Sequence, residues 1–229
     1  MPSDTETEAA ETEAETPEPD PVREGLRDRM AAELGEALLA SDIAPGTQLT
    51  VRVTAEAWRT AGLVARDHLG CRWFDFLSAI DWMPSPYGRY EDDGFEAPAA
   101  PDLDGPFETG VAGGETRFQV FARVVDTAAH TDIVLKADVP PDTLTVPSWV
   151  PVYDGADWHE RETWEMFGIA FDGHPALRNI YLPSDFEGNP LRKDFPLIAR
   201  IVKPWPGIVD VEPMPEEDEE PAGEEGDAS

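Results

Sequence analysis

The sequence predicts an α/β protein. We expect an N-terminal α/β domain with a small mixed or antiparallel sheet flanked by helices, followed by a helix and an irregular, extended C-terminal segment. Stretches with helical spacing and stretches with alternating apolar residues follow one another in the order helix, strand, helix, strand, strand, strand. Beyond about residue 140, prolines interrupt the periodicity and only one further helix is indicated.

The first two helices are predicted from helix-capping residues, and the first strand from the alternation of apolar and polar residues. Asp20, which is followed by proline, is a typical helix start, and this helix is expected to run to about Ala40. "QLTVRV", residues 48–53, alternates as a half-buried strand does. Thr54 is expected to cap a second helix, and Gly70 is placed to end it.

Three further strands and a long loop complete the expected domain. The aromatic-rich stretch 71–82 is predicted to be a buried strand, and residues 116–125 and 131–139 are predicted to form an antiparallel hairpin. Residues 84–115 are rich in Pro and Gly and indicate a loop or insertion. Within it, "GVAGGE" at 110–115 lacks the spacing of a dinucleotide-binding loop and is interpreted as a flexible linker.

Charge is unevenly distributed along the 229 residues, which carry a formal net charge of −31. The segments 1–20 and 209–229 carry no Lys or Arg, and we expect both to be disordered acidic tails. Between them, the α/β domain is expected at 21–145, and a helix with an extended partner-binding segment at 146–208. The acidity argues against nucleic acid as a partner, because phosphate requires a basic surface.

Composition excludes several classes of protein. The single cysteine allows no disulfide within the chain and no cysteine cluster for an iron–sulfur centre. No apolar run approaches the roughly 20 residues that span a bilayer, and the N-terminus does not resemble a signal peptide. Walker A and nucleophile-elbow motifs are absent from the sequence. We therefore expect a cytoplasmic protein whose contact with a membrane is indirect.

"DWHERETWEMFG", residues 157–168, is predicted to be a helix. Asp157 is expected to be its N-cap, with Glu160 completing a capping box, and Gly168 is expected to end it. On the helical wheel, one broad side holds Thr163, Trp164, Met166 and Phe167. The other side is expected to carry a local ion-pair network of Arg161, Glu162 and Glu165, which would add little stability if exposed and would fix orientation if buried against a partner.

A metal site is an alternative interpretation of the same helix. A zinc-protease helix requires H-E-x-x-H, so that both imidazoles lie on one face. The position four residues after His159 is Thr163, and a site would need His174 from a later loop, with Glu160 or Asp157 assisting. A small metal-dependent hydrolase that uses these residues remains the alternative from a different functional class.

The segment that follows has the composition of a protein interface. Six of the seventeen basic residues lie between 161 and 203, and aromatic residues are interleaved with them. Arginine and aromatic side chains on a chain held extended by proline are typical of desolvated interfaces. The alternative is an irregular lobe that packs on its own sheet.

Two stretches resemble a known family. "ERETWEMFGIAFDGHPALRNIYL" and "FEGNPLRKDFPL" resemble blocks of the C-type subunit of NADH–quinone oxidoreductase, the 30 kDa subunit family of respiratory complex I. The resemblance covers about residues 148–205. In the second block of the family a His usually precedes "PLRKDFP", and Asn189 stands there in this chain.

The resemblance implies a chain with no catalytic, cofactor or metal residues of its own, in a complex that oxidises NADH, reduces quinone and pumps protons. FMN and iron–sulfur clusters would be held by partner subunits. The chain would dock on the D-type subunit of the complex, and also near its B-type subunit and other peripheral-arm subunits, at the cytoplasmic side of the cell membrane. An equivalent subunit of a membrane-bound hydrogenase or another donor dehydrogenase is the related alternative.

The interface implied by these blocks is expected to include nine residues. Reversing the charge of Arg161 or Arg192 is then expected to release the chain from its complex without unfolding it. The nine residues are Arg161, Glu162, Glu165, His174, Arg178, Arg192, Lys193, Asp194 and Phe195.

Overall fold

A computed structural model describes residues 20–43, 48–86 and 105–196. The expected acidic tails, most of the 84–115 loop and the extension beyond Pro196 lie outside the described residues. The helices are α1 (Pro21–Leu34), α2 (Trp58–Asp67) and α3 (Ala156–Phe167), with a short 3-10 turn at Gly35–Ala37. The strands are β1 (Leu38–Ile43), β2 (Leu49–Val53), β3 (Trp73–Asp81), β4 (Phe118–Asp126), β5 (Thr131–Asp138), β6 (Thr145–Pro147) and β7 (Ala170–Asp172).

The larger sheet is mixed, which confirms the predicted fold class. Its strand order is β1-β2-β5-β4-β3, and β6 and β7 form a separate parallel pair. The predicted hairpin is confirmed by the antiparallel pairing of β4 with β5, in which Ala122 lies opposite Leu135. The parallel pairing of β2 with β5, in which Val51 lies opposite Leu135, makes the sheet mixed.

The core lies between the sheet and the helices α1 and α2. Val51 and Leu135 have no exposed surface, and neither do Met30 of α1 and Trp58 of α2, which belong to the same apolar cluster. Burying a side chain of this kind stabilises the fold by roughly 1.5–3 kcal/mol. The Trp58 ring also stacks on Trp149, with ring centroids 4.5 Å apart, and so joins α2 to the segment that leads into α3.

The predicted start of α1 is confirmed, but its predicted end at Ala40 is wrong. The Asp20 side chain accepts a hydrogen bond from the Arg23 N–H, as an N-cap does. Gly35 then adopts a positive φ of 55° and closes the helix. The following residues form β1, an edge strand in which Ser41 pairs with Val51. Pairing with β2 therefore overrides the helical propensity of "ALLA".

The expectation that Thr54 caps the second helix is also wrong. Helix α2 begins at Trp58, one turn later, and its N-cap is Ala57. The Thr54 hydroxyl accepts the Ala57 N–H at 3.3 Å within a turn that precedes the helix. Gly70 does lie just beyond the end of α2, with a φ of 82°.

The interpretation of "GVAGGE" as a flexible linker is wrong for its central residues. Side chains from three neighbouring strands donate hydrogen bonds to three consecutive carbonyls of this stretch. Lys136 Nζ lies 2.7 Å from Val111 O, and Arg52 Nε lies 3.0 Å from Ala112 O. Gln119 Nε2 lies 2.9 Å from the carbonyl of residue 113. These donors fix the stretch against the sheet, which the composition of the loop does not indicate.

Candidate partner-binding surface

Helix α3 is the centre of the C-terminal lobe, which we define as residues 145–196. The helix packs on β3, and its N-cap is Gly155, with no side-chain capping bond. The predicted capping box is therefore wrong: Asp157 lies in the first turn, and Glu160 points inward. The predicted end is confirmed, because Gly168 adopts the left-handed conformation with φ 72° and its N–H bonds to the Trp164 carbonyl.

Glu160 has no exposed surface and connects α3 to the segment after β6. Its carboxylate accepts hydrogen bonds from the Ser148 hydroxyl, at 2.6 Å, and from the Trp149 N–H. Burial raises the pKa of Glu160 to about 7, although these hydrogen bonds and the nearby Arg59 act in the opposite direction. Arg59 itself donates to the Ser148 carbonyl at 2.7 Å. Glu160 is thus an internal residue of the lobe.

The carboxylate of Glu165 holds the loop that follows β7. It accepts three backbone N–H groups, from Ile180 at 3.0 Å, from Tyr181 at 3.1 Å and from Leu182 at 2.6 Å. Burial alone would raise the pKa of Glu165. These N–H groups and the charge of Arg161 outweigh burial and lower the pKa below its ordinary value. The side chain is therefore held ionised, as a clamp on residues 180–182.

Arg161 holds the same loop one turn earlier. Its Nε donates to the Arg178 carbonyl at 3.1 Å, and its guanidinium lies 3.6 Å from the Asp157 carboxylate. Arg161 is 6% exposed and Glu165 is 5% exposed. The expectation that these two side chains are either exposed or covered by a partner is therefore wrong. The chain's own loop covers this side of α3. Backbone N–H and carbonyl groups of that loop form hydrogen bonds with the side chains of Arg161 and Glu165.

The second of the two family-like blocks completes the C-terminal end of α3. Asn189 Nδ2 donates to the Glu165 carbonyl at 2.9 Å, and the Leu191 N–H donates to the Met166 carbonyl at 3.1 Å. Arg192 Nε donates to the Phe167 carbonyl at 2.6 Å. The last carbonyls of a helix have no partner within the helix. This block supplies those partners, and Arg192 also places a positive charge at the negative end of the helix dipole.

The next residues of the block are attached to the end of the sheet. The Asp81 carboxylate, which is 1% exposed, accepts the Lys193 N–H at 2.8 Å and two bonds from the Arg117 guanidinium. Arg117 also pairs with Asp194 at 2.9 Å. The hydrogen bond from Arg117 lowers the pKa of Asp194 below its ordinary value. Residues 189–194 are thus bound to the chain's own helix and sheet through their backbone and part of their side chains.

His159, Glu160 and His174 of the metal alternative do not converge on one site, although His174 Nε2 lies 3.4 Å from the Asp157 carboxylate. His159 Nδ1 lies 3.1 Å from the Leu77 carbonyl, and its ring packs edge-on against Phe74. His174 Nδ1 accepts the Ala176 N–H at 3.0 Å, so that Nε2 carries the proton and donates toward Asp157. Within the described ranges no group of three or more His, Cys, Asp or Glu residues is placed to hold a metal ion.

Several side chains of the lobe point outward instead. Contiguous patches of exposed large apolar side chains are typical of surfaces that contact another molecule, whereas single exposed apolar residues are normal. Tyr181 is 64% exposed, Trp158 is 64% exposed and Leu191 is 51% exposed. Arg178 and Lys193 are also exposed. We call the following residues the outer surface of the lobe: Trp158, Arg178, Tyr181, Phe186, Leu191 and Lys193.

The sequence indicates part of this surface. Two residues of the outer surface, Arg178 and Lys193, are among the nine expected interface residues. The other four, Trp158, Tyr181, Phe186 and Leu191, are not. For Trp158 the reason is that a helical wheel does not show which side of α3 the following loop covers. No helix in the part of the chain that the structure describes is long and apolar enough to cross a membrane.

Comparison with known proteins identifies similar chains. The family model described as "Respiratory-chain NADH dehydrogenase, 30 Kd subunit" matches residues 51–200. The C/D subunit of the NADH-quinone oxidoreductase of Klebsiella pneumoniae subsp. pneumoniae is 46% identical over 88 residues, and that of Serratia proteamaculans is 47% identical over 88 residues. Each match covers 38% of this chain and 15% of the relative, so the chain matches only a small part of these relatives.

A solved structure shares the fold. The chain resembles a chain of the "membrane-bound sulfane sulfur reductase (MBS), an archaeal respiratory membrane complex", with a TM-score of 0.54 and 18% identity. The alignment covers 85% of this chain and 97% of that chain. At this identity, the likeness concerns the fold alone.

Proposed function

Because the chain belongs to the family of the respiratory-chain NADH dehydrogenase 30 kDa subunit, we propose that it is a peripheral-arm subunit of a proton-pumping NADH–quinone oxidoreductase. The observation that carries the proposal is the extent of the family match. Residues 51–200 include most of the sheet, all of α3 and the block that caps it. The chain would have no catalytic activity of its own, and FMN and iron–sulfur clusters would lie in partner subunits.

The proposed partner is the D-type subunit of the complex, with further contacts to the B-type subunit and other peripheral-arm subunits. The relatives support the first of these, since their name joins the letters C and D in one chain. Membrane contact would be made through the complex, on the cytoplasmic side of the cell membrane.

The outer surface of the lobe is the proposed docking site. Aromatic side chains and arginine are enriched at protein interfaces, and tryptophan, tyrosine and arginine carry most of the binding energy there. Arg161 and Glu165 would support this surface from inside, because they hold residues 178–182 in place. The expected interface residues Glu162, Asp194 and Phe195 would lie at or near its rim, whereas the side chain of His174 is buried against Asp157 and would act only from inside.

Purification from native membranes tests the proposal. A tagged chain is expected to bring down the subunits of the complex, which mass spectrometry identifies. Leu191→Asp should reduce the recovered partner chains severalfold, because it places a charge within the docking surface. Leu39→Asp is the matched control: Leu39 is similarly exposed, at 46%, but lies on β1 at the opposite edge of the sheet from β3. This variant is expected to leave recovery unchanged.

Three results would argue against the proposal. If the tagged chain were recovered alone, the proposal that it is a subunit of a complex would be wrong. Recovery with hydrogenase-type subunits and without an NADH-binding flavin subunit would assign it to the related class of complex instead. Equal recovery with the Leu191 and Leu39 variants would place the interface elsewhere on the chain.

A further inference from the structure

A small cleft lies where the second block meets the sheet. It has a volume of about 250 Å³ and is bordered by the start of β4, by the residues after β5 and by Arg192. Most of its lining is apolar, with the two guanidinium groups of Arg117 and Arg192 among these residues. The apolar lining residues are Phe118, Val139, Pro141 and Leu144.

Arg192 is held rigidly at this cleft. Its Nε donates to the Phe167 carbonyl, and its guanidinium carbon lies 5.2 Å from the centre of the Phe118 ring. Arg117 contacts the same ring at 4.6 Å and is bound by two carboxylates, those of Asp81 and Asp194. Among the residues described, no carboxylate forms a direct ion pair with Arg192, although Asp194 is near enough to respond to its charge. Within the described part of the chain, Arg192 therefore retains N–H groups that no carboxylate engages.

Two cations, Arg117 and Arg192, lie with two carboxylates, those of Asp81 and Asp194. Both carboxylates pair with Arg117, so Arg192 is the cation at this cleft that no carboxylate of the described residues pairs with directly. A guanidinium fixed by stacking and by one hydrogen bond is prearranged for a carboxylate, because its remaining N–H groups match the two oxygens. The apolar walls suit the methylene groups that carry a carboxylate in Asp and Glu.

We propose that an Asp or Glu side chain of the docked partner chain enters this cleft and pairs with Arg192. The inference rests on the proposed function, since it specifies one contact of that docking. The cleft continues the outer surface of the lobe, because the exposed Leu191 immediately precedes Arg192. A side chain on a folded partner fits better than a free inorganic anion, which would leave its other oxygens against apolar walls.

The test places a competing carboxylate in the cleft. Pro141 is exposed and lines the cleft, and Pro141→Glu puts a negative charge there. Pro141→Gln is the matched control, because it introduces a side chain of the same size and the same loss of proline but no charge. Purified full-length chain is titrated onto membranes from a strain that lacks it, and bound chain is quantified by mass spectrometry.

Pro141→Glu is expected to weaken binding roughly 30-fold or more relative to Pro141→Gln, as loss of a buried interfacial pair does. Arg192→Lys, which keeps the charge but not the planar fork, should weaken binding by less. Pro141→Glu should melt within a few degrees of Pro141→Gln, and Arg192→Lys within a few degrees of the unaltered chain.

Three outcomes would overturn the inference. If the Glu and Gln variants bind equally while the unaltered chain binds well, the cleft holds no partner carboxylate and the proposed function stands. If the unaltered chain does not bind these membranes at all, the proposed function itself fails. If deletion of residues 210–229 tightens binding of the unaltered chain but not of Pro141→Glu, the chain's own acidic tail occupies the cleft.

Discussion

The Glu165 carboxylate should determine whether the loop at residues 180–182 stays in place, and Glu165→Gln tests this. One oxygen accepts the Ile180 and Tyr181 N–H groups, and the other accepts the Leu182 N–H. A glutamine retains one carbonyl oxygen. Its NH₂ group would face one of these N–H groups, donor against donor.

The expected magnitude follows from the kind of bond lost. A hydrogen bond to a charged group contributes about 1.5–3 kcal/mol, and at least one is removed. Because 1.4 kcal/mol is a factor of ten, opening of the loop should become about 10- to 100-fold more frequent. Glu162→Gln is the control: Glu162 lies half-buried on the same helix, and substitutions at such positions usually change stability by less than about 0.5 kcal/mol.

Amide hydrogen exchange at residues 180–182 measures this opening. The lowered pKa of Glu165 also predicts a pH dependence. The stabilisation is fully present above the ordinary carboxyl pKa of 4.5 and is lost as pH falls through the lowered pKa of the folded state. Exchange normalised to unfolded peptides should therefore rise in acid for the unaltered chain and stay flat for Glu165→Gln. Equal protection in the Glu165→Gln and Glu162→Gln variants would refute the clamp.

Two further predictions concern the same helix. As pH rises from 4.5 to about 7, Glu160→Gln should gain roughly 2–4 kcal/mol of stability relative to the unaltered chain, because the raised pKa of Glu160 means that its ionisation destabilises the fold over that range. Denaturant melts at several pH values measure the difference in the free energy of unfolding. A difference that does not change with pH would show that burial does not raise the pKa. Asn189→Ala should lower the free energy of unfolding by about 1 kcal/mol, because it removes the hydrogen bond to the Glu165 carbonyl. Asn189→Asp should lower it by more, since a carboxylate would face that carbonyl at the negative end of the helix. Equal effects of the two variants in denaturant melts would show that charge at this end of the helix is unimportant.

Elements with a strong local signal could be predicted from the sequence. The β4–β5 hairpin, the Asp20 cap and the Gly168 terminus each depend on residues close in sequence, and each is confirmed. Strand β1 could not be predicted, because its pairing partner in β2 determines its conformation. The capping box at Asp157 fits the local pattern equally well, but Ser148 and Trp149 offer Glu160 a buried alternative. Tertiary contacts of this kind are not visible in a helical wheel.

Because the sequence does not show which charged residues are buried, the structure also changes the choice of substitution that tests the interface. The sequence alone predicts that charge reversal at Arg161 releases the chain without unfolding it. The burial of Arg161 predicts the opposite, because Arg161→Glu would place a carboxylate against the carbonyls of Arg178 and Asn179. Breaking a buried charged contact destabilises by about 3–5 kcal/mol. Arg178→Glu is the matched control, since the Arg178 side chain is exposed.

Thermal melting of the isolated chain separates the two possibilities. Arg161→Glu should lower the melting temperature by about ten degrees or more, on the order-of-magnitude scale of a domain this size, whereas Arg178→Glu should barely change it. Purification from native membranes should give a different result for Arg178→Glu, which should lose its partner chains while remaining folded. If Arg161→Glu melted like the unaltered chain and lost its partners, then Arg161 would face the partner and the loop at 178–182 would have to leave α3 on docking.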